Sequence, residues 1–155
     1  INKGRDGCRA PMQWNAEKNA GFSDGTPWNS FHPDYETRNV EAQQRDPQSL
    51  HAFYKDVIAL RKQVRSFQVG SLELLDDRNE FVLAFKREFE GECAYVLLNF
   101  SQLPSSVRIP NLTAKTRFTK QFSNKEIASP NDKGEIKLAG DQALILVVKE
   151  DRKRK

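Results

Sequence analysis

Residues 81–100 read FVLAFKREFEGECAYVLLNF, and this stretch decides the fold class. Its first half alternates large apolar residues with smaller or charged ones, which is the period-two pattern of a half-buried strand. Its second half, Cys93–Phe100, is apolar almost throughout, which predicts a strand that is covered on both faces. Gly91 lies between the two halves and predicts a hairpin turn. The stretch therefore predicts an antiparallel strand pair.

Further strand patterns lie on both sides of this hairpin, separated by turn residues such as Gly134 and Gly140. The predicted strands are Ser71–Leu75, Phe81–Phe89, Cys93–Phe100, Ser106–Ile109, Arg117–Phe122, Ile136–Leu138 and Ala143–Lys149. A succession of short strands with regular turns is typical of an antiparallel sandwich. We therefore expect a mainly β chain with a β-sandwich domain over residues 70–150.

One α-helix is predicted before the strands. Asp46 is the expected N-cap, Pro47 fits the first turn, and apolar residues at three- and four-residue steps continue the helix over 47–65. Residues 1–46 show no such period and are interrupted by proline and glycine, which predicts a long irregular loop. A loop of that length is usually functional or packed against something larger.

Composition indicates a globular protein, with 37% hydrophobic and 30% charged residues. No run of eighteen apolar residues occurs, so no spanning helix and no membrane partner are expected. The net charge of +4 comes partly from a basic tail at 151–155. Such a tail is typical either of a segment that binds an anionic partner or of a frayed, solvated terminus. We favour the solvated terminus and expect no nucleic-acid partner.

The cysteine and histidine content predicts no metal site and no cofactor. Cys8 and Cys93 lie far apart and lack the spacing of metal ligands, and neither His32 nor His51 is near a C-x-x-C pair. Two reduced thiols are the favoured interpretation, with a disulfide as the alternative. Reduced thiols indicate a cytoplasmic protein.

The first 62 residues carry several short motifs in a fixed order. They are R-D-x-x-R-x-P-M-Q-W at 5–14, N-A-G-F at 19–22, Pro27-Trp28, Asn39-Val40 and Leu60-Arg61-Lys62. This order resembles the α-glucosidase branch of glycoside hydrolase family 13, which includes oligo-1,6-glucosidases, maltases and trehalose synthases. In that family an (α/β)₈ barrel is followed by a small antiparallel β-sandwich called domain C.

The resemblance implies a division of the chain. Residues 1–66 would be the end of the catalytic (α/β)₈ barrel, with its long loop and last helix, and residues 70–150 would be domain C. The chain would then be the C-terminal portion of a larger hydrolase. The family's catalytic aspartate and glutamate would lie before Ile1, and no recognisable carboxylate pair of the kind that retaining hydrolysis needs occurs in this chain. We therefore expect no catalytic residues here.

The resemblance also implies one substrate-binding residue. Arg9 occupies the position of a sugar-contacting arginine, and its guanidinium offers several fixed donors for hydroxyl groups. Arg5 and Asp6 would brace the same loop or line the site entrance. The alternative is that Arg9 simply pairs with Asp6 to pin the loop.

The expected function is therefore part of an α-glucosidase-type hydrolase that acts on α-linked gluco-oligosaccharides and is inert without the missing barrel. One alternative is a stand-alone β-sandwich that binds carbohydrate or a protein partner. Another is a fragment of a non-catalytic relative, such as a transporter heavy chain. The intact Arg5, Asp6 and Arg9 favour the hydrolase. The choice between α-1,4 and α-1,6 bonds, and between hydrolysis, transfer and isomerisation, stays open.

Overall fold

The computed structural model describes residues 4–75 and 79–149, apart from the side chains of Asp6 and Gly7. The chain forms two compact units, Ile1–Ile58 and Ala59–Lys155. The basic tail predicted at 151–155 lies outside the described residues. Among the described helices, none combines the length and the apolar character that crossing a membrane requires.

The first unit contains more regular structure than the sequence predicted. Two 3-10 turns cover Asp6–Arg9 and Lys18–Gly21, and a six-residue helix, α1, covers Val40–Arg45. The prediction that residues 1–46 are irregular throughout was therefore wrong at α1. This helix has no buried residue and so has no apolar stripe to reveal it. Its one local signal is Asn39, whose side-chain oxygen accepts a hydrogen bond from the Ala42 amide at 2.9 Å, as an N-cap does.

The second helix, α2, covers Leu50–Gln63. Its N-cap is Ser49, whose hydroxyl oxygen accepts from the Ala52 amide at 3.2 Å. The predicted cap, Asp46, was wrong: its carboxylate instead accepts from the Gln48 amide at 2.8 Å and closes the turn before α2.

The helix predicted over 47–65 is interrupted at Val64, which has extended backbone angles, and a third helix, α3, covers Arg65–Val69. The cause is a contact distant in sequence. The Glu92 carboxylate accepts from both the Ser66 amide, at 2.8 Å, and the Ser66 hydroxyl, at 2.9 Å. It thereby satisfies donors at the start of α3. The Val64 side chain is fully buried at the break.

Seven strands lie in the described part of the second unit. They are β1 Ser71–Leu74, β2 Val82–Phe89, β3 Glu92–Asn99, β4 Ser105–Arg108, β5 Lys120–Ser123, β6 Glu135–Leu138 and β7 Ala143–Lys149. One sheet has the order β1-β2-β3-β7-β5, and a second pairs β4 with β6; every pairing is antiparallel. The predicted mainly β fold with an antiparallel sandwich is confirmed.

The hairpin predicted from residues 81–100 forms the centre of the larger sheet. Strands β2 and β3 pair along their whole length, from Val82 opposite Asn99 to Phe89 opposite Glu92. The two residues between them, Glu90 and Gly91, both have positive φ, at 49° and 81°. Two consecutive positive φ values are the signature of a type I′ turn, so the turn at Gly91 is confirmed.

The sandwich core lies between the two sheets. Its buried members are Val82, Ala84, Cys93, Tyr95, Leu97, Val107, Ile109, Leu112, Ile136, Leu138, Leu144 and Leu146. A smaller cluster covers the opposite face of β3 and β7, where Val64 and Phe67 pack with Ala94 and Val147. Both faces of β3 are therefore covered, as its apolar run predicted.

Candidate functional site

The predicted site residues Arg5 and Arg9 lie at the two ends of the first 3-10 turn. The amide of Cys8 donates to the Arg5 carbonyl oxygen at 3.1 Å, which closes the turn. Both arginine side chains are exposed, and neither forms a hydrogen bond or ion pair with another described residue. The side chain of Asp6, and with it the alternative Arg9–Asp6 pair, lies outside the described residues. The turn thus presents two guanidinium groups.

The segment after this turn is fixed by the N-terminus of α1. The Val40 amide donates to the Gln13 carbonyl oxygen at 2.9 Å, and the Glu41 amide donates to the Trp14 carbonyl oxygen at 3.0 Å. Amides in the first turn of a helix have no partner within the helix. Here two carbonyl oxygens of the loop accept hydrogen bonds from the first two amides, and the Asn39 side-chain oxygen accepts from the third. The arginine loop and α1 therefore hold each other in place.

The N-A-G-F motif holds the loop from its other side. The Ala20 carbonyl oxygen accepts from the amides of Trp14, at 2.9 Å, and Asn15, at 3.2 Å. Asn19, Ala20 and Gly21 have consecutive positive φ values of 54°, 53° and 64°. The Asn19 side-chain amide supports this conformation by donating to the carbonyls of Ser23 and Gly25. Left-handed backbone is costly for residues with a Cβ, so the surrounding contacts must impose it.

A groove of about 450 Å³ opens beside this loop. It is lined by Ala10, Gln13, Ser30, Phe31, His32, Pro33, Asp34 and Arg38. The Asp34 carboxylate joins two of the lining groups: Oδ1 contacts Nδ1 of the His32 ring, and Oδ2 lies 3.1 Å from Nε of Arg38. The Gln13 side-chain amide donates to the Arg38 carbonyl oxygen at 3.0 Å.

The electrostatics of the groove keep Asp34 ionised. Its partial desolvation would raise the pKa of the carboxyl group. The hydrogen bond from His32 and the charges of Arg38 and His32 outweigh that effect, and the pKa lies below its ordinary value of 3.8. An ionised carboxylate requires the proton on Nδ1 of His32, so Nδ1 donates. The sequence alone assigned no partner to His32. The spacing of His32 and Asp34, with Arg38 four residues after the aspartate, was the pattern that could have indicated these contacts.

The remaining residues singled out from the sequence do not converge on this groove. Trp14 is 50% exposed and Trp28 is 77% exposed. His51 lies on α2 and is exposed. Cys8 is exposed and Cys93 is buried, and no disulfide joins them. Across residues 4–75 and 79–149, no three histidine, cysteine, aspartate or glutamate side chains gather as metal ligands would.

In chemical terms, the described loop is a donor-rich surface. Arg5, Arg9 and Arg38 present guanidinium groups, and Phe31 contributes an aromatic wall to the groove. Of these arginines, Arg38 lines the groove together with Phe31 and offers planar hydrogen-bond donors beside an aromatic ring.

Two family models match consecutive parts of the chain. The model described as "Alpha amylase, catalytic domain" matches residues 1–70, and the model described as "Maltogenic Amylase, C-terminal domain" matches residues 72–145. The second match coincides with the strands of the sandwich. The class is therefore that of the α-amylase-type proteins.

Named relatives identify the family within this class. The chain is 33% identical to the oligo-1,6-glucosidase of Parageobacillus thermoglucosidasius over 95% of its length, and 41% identical to probable oligo-1,6-glucosidase 2 of Bacillus subtilis (strain 168) over 80%. These matches cover 26% and 22% of the two relatives, so the chain spans about a quarter of their length. The chain belongs to glycoside hydrolase family 13 and corresponds to the C-terminal portion of its members.

Solved structures agree with this assignment. The trehalulose synthase MutB from Pseudomonas mesoacidophila MX-45 superposes with a TM-score of 0.80 at 30% identity, covering 94% of this chain and 26% of that one. The isomaltulose synthase of Klebsiella sp. LX3 gives a TM-score of 0.78 at 28% identity, covering 93% and 26%. Variants of MutB have been solved in complex with glucose and with the substrate sucrose.

Proposed function

We propose that the chain is the C-terminal part of an α-glucosidase-type glycoside hydrolase that acts on α-linked gluco-oligosaccharides with retention of anomeric configuration. The observation that carries this proposal is the match to oligo-1,6-glucosidases, which runs through both the arginine loop and the sandwich. A stand-alone β-sandwich module would have no reason to keep the loop motifs upstream of the sandwich.

The proposal assigns a role to each part of the chain. Residues 1–66 complete a catalytic (α/β)₈ barrel whose remaining portion is the partner of this chain, residues 70–150 form domain C, and residues 151–155 are a basic tail. A pair of cysteines that are not joined by a disulfide supports a cytoplasmic location for the intact enzyme.

Arg9 is the substrate-binding residue of this proposal. Its exposed guanidinium, at the end of a turn whose following segment is tied to α1, is available for sugar hydroxyls of a bound substrate. In this proposal Arg5 and Asp6, at the start of the same turn, brace the loop against the barrel portion that this chain lacks. A donor held by a fixed backbone binds a sugar at a lower entropic cost than one on a free loop does.

The chain by itself is inert in this proposal, because the nucleophile and the general acid belong to the missing barrel. Without such a pair, most of the acceleration over uncatalysed hydrolysis is lost. The test compares the 155-residue chain with the intact parent on p-nitrophenyl α-glucoside. We expect turnover by the parent, with the α-anomer as first product by NMR, and none by the chain.

Two results would count against the proposal. Activity that co-purifies with the 155-residue chain through several columns would refute its inertness. A folded, pure parent that turns over no α-glucoside, in a panel that includes isomaltose and maltose, would refute the assignment as a glucosidase and favour the non-catalytic alternative.

A further inference from the structure

We propose that the groove between residues 10–13 and 30–38 binds one glucosyl residue of an α-linked gluco-oligosaccharide, with His32 and Arg38 as the hydrogen-bonding pair and Phe31 as the apolar wall. The ligand class rests on the proposed function. The groove adds a set of sugar-binding groups beyond Arg9.

Asp34 organises the polar side of the groove. One of its carboxylate oxygens contacts Nδ1 of His32, and the other contacts Nε of Arg38. Each of these two side chains is therefore oriented by a contact with Asp34. The other ends, Nε2 of the imidazole and the Nη nitrogens of the guanidinium, have no partner among the described residues. Both side chains are largely exposed, at 65% and 75%. Two polar groups are thus oriented by a shared carboxylate and left free to bind.

The chemistry of these free groups selects a hydroxyl ligand. The Nη nitrogens of Arg38 are donors only, whereas Nε2 of His32 can accept or donate according to the protonation of the ring. A hydroxyl group can accept from Nη and can either donate to Nε2 or accept from it. A phosphate or carboxylate would lie near the negative charge of Asp34. A neutral polyol therefore fits this pair better than an anion does.

Phe31 gives the groove an aromatic lining residue that is restrained by its neighbours. Phe31 is half-buried, with its ring centroid 5.9 Å from that of Tyr35 and 6.4 Å from that of Phe22. These contacts hold the ring in place, so little side-chain entropy is lost when a sugar face covers it. The groove volume of about 450 Å³ lies in the range of small-ligand sites.

The test is an amide-detected NMR titration of the ¹⁵N-labelled 155-residue chain with isomaltotriose. We expect saturable shifts at Ser30–Asp34 and at Arg38. Arg38→Gln replaces the guanidinium group with a shorter, uncharged amide that cannot reach the same position, and it should weaken binding by about tenfold or more. Phe31→Leu keeps an apolar side chain but removes the flat wall, and should also weaken binding.

Arg45→Gln is the matched control. Arg45 pairs with Glu41 at the same i,i+4 spacing that Arg38 has to Asp34, and its side chain is 76% exposed, but it does not line the groove. Both substitutions therefore remove one exposed ion pair, and only one removes a proposed ligand contact. We expect Arg45→Gln to bind isomaltotriose like the parent sequence.

Three results would overturn the inference: no shift in this region up to the highest soluble isomaltotriose concentration, equal weakening by Arg38→Gln and Arg45→Gln, or equal binding of cellotriose, whose linkages are β. The proposed function is judged separately, by turnover in the intact parent. An inactive parent whose C-terminal chain binds isomaltotriose in the groove would refute the glucosidase activity and leave the sugar site standing.

Discussion

The backbone amide of Val40 donates a hydrogen bond to the carbonyl oxygen of Gln13, 2.9 Å away, and so connects the first turn of α1 to the arginine loop. Twenty-seven residues separate these two groups in sequence. The contact makes a six-residue helix without a buried side chain a structural support for the loop that carries Arg9. The geometry of the loop should therefore depend on whatever stabilises the start of α1.

Asn39→Ala tests that dependence. The Asn39 side chain accepts from the Ala42 amide at 2.9 Å and donates to the Tyr35 carbonyl oxygen at 2.8 Å, and it is buried. Loss of an N-cap costs about 1–2 kcal/mol. We expect the free energy of unfolding of the first unit, followed by tryptophan fluorescence in urea, to fall by about that amount. Hydrogen exchange at the Val40 and Glu41 amides should accelerate.

Asn39→Asp provides the comparison, because it keeps the acceptor for Ala42 and loses the donor to the Tyr35 and Glu36 carbonyl oxygens. We expect it to be less destabilised than Asn39→Ala. An equal loss of stability in the two variants would mean that the hydrogen bond from the Ala42 amide to residue 39 does not stabilise α1.

Leu97→Ala tests the sandwich core. Leu97 lies on β3 in the middle of the larger sheet and is fully buried, whereas Leu103 lies in the same unit and is 72% exposed. Removing a buried leucine side chain costs about 2–5 kcal/mol, because packing contacts are lost and a cavity remains. Leu103→Ala should change the free energy of unfolding by less than about 0.5 kcal/mol. Urea unfolding followed by far-UV circular dichroism measures both changes. An equal loss of stability in the two variants would mean that Leu97 is not part of the core.

The central hairpin and the sandwich were predictable from sequence because their determinants are local. The alternation in β2, the apolar run of β3 and the turn at Gly91 are each visible within a few residues. Even there, the side chains that face the core on β2 are Val82 and Ala84, while the larger Phe81 and Leu83 are more than 40% exposed. Apolar residues on both faces of a strand do not reveal which face lies inside.

The features that sequence missed depend on distant contacts. The break at Val64 follows from a carboxylate on β3, at Glu92, that binds Ser66. Helix α1 is too short to show a periodic pattern, and its first amides are satisfied by Gln13 and Trp14. In the groove, Asp34 joins His32 and Arg38 by local spacing, but the approach of the segment at Gln13 depends on the fold of the whole unit.

Arg38→Gln should raise the pKa of Asp34 toward its ordinary value of 3.8. In the folded chain this pKa is lowered because the hydrogen bond from His32 and the charges of Arg38 and His32 outweigh the effect of desolvation. A lowered folded pKa means that Asp34 stabilises the fold above pH 3.8, and that this contribution is lost as the pH falls through the folded pKa. A ¹³C-detected titration of the Asp34 carboxyl measures the shift.

Arg45→Gln should leave the titration of Asp34 unchanged, since its own pair is with Glu41. If Asp34 in the unsubstituted chain titrated at or above 3.8, the arrangement of the groove described above would be wrong.

Arg9→Ala in the intact parent should lower kcat/KM by about ten- to a hundredfold and leave the melting temperature nearly unchanged. Arg9 is exposed at the end of its turn and forms no hydrogen bond with another described residue, so its removal leaves no described partner unsatisfied. Loss of a charge-assisted hydrogen bond to substrate in the transition state costs about 1.5–3 kcal/mol, which corresponds to that range of rates.

Arg5→Ala is the companion variant. Arg5 is the other exposed arginine of the same turn and has no partner among the described residues, and it is proposed to brace the loop against the barrel portion that this chain lacks. We expect its effect to appear mainly in the melting temperature. Thermal unfolding and steady-state kinetics on p-nitrophenyl α-glucoside, measured on both variants, separate the two roles. If Arg9→Ala melted early while its folded fraction kept normal specific activity, Arg9 would be a structural residue, and the sugar contact would have to come from elsewhere in the loop.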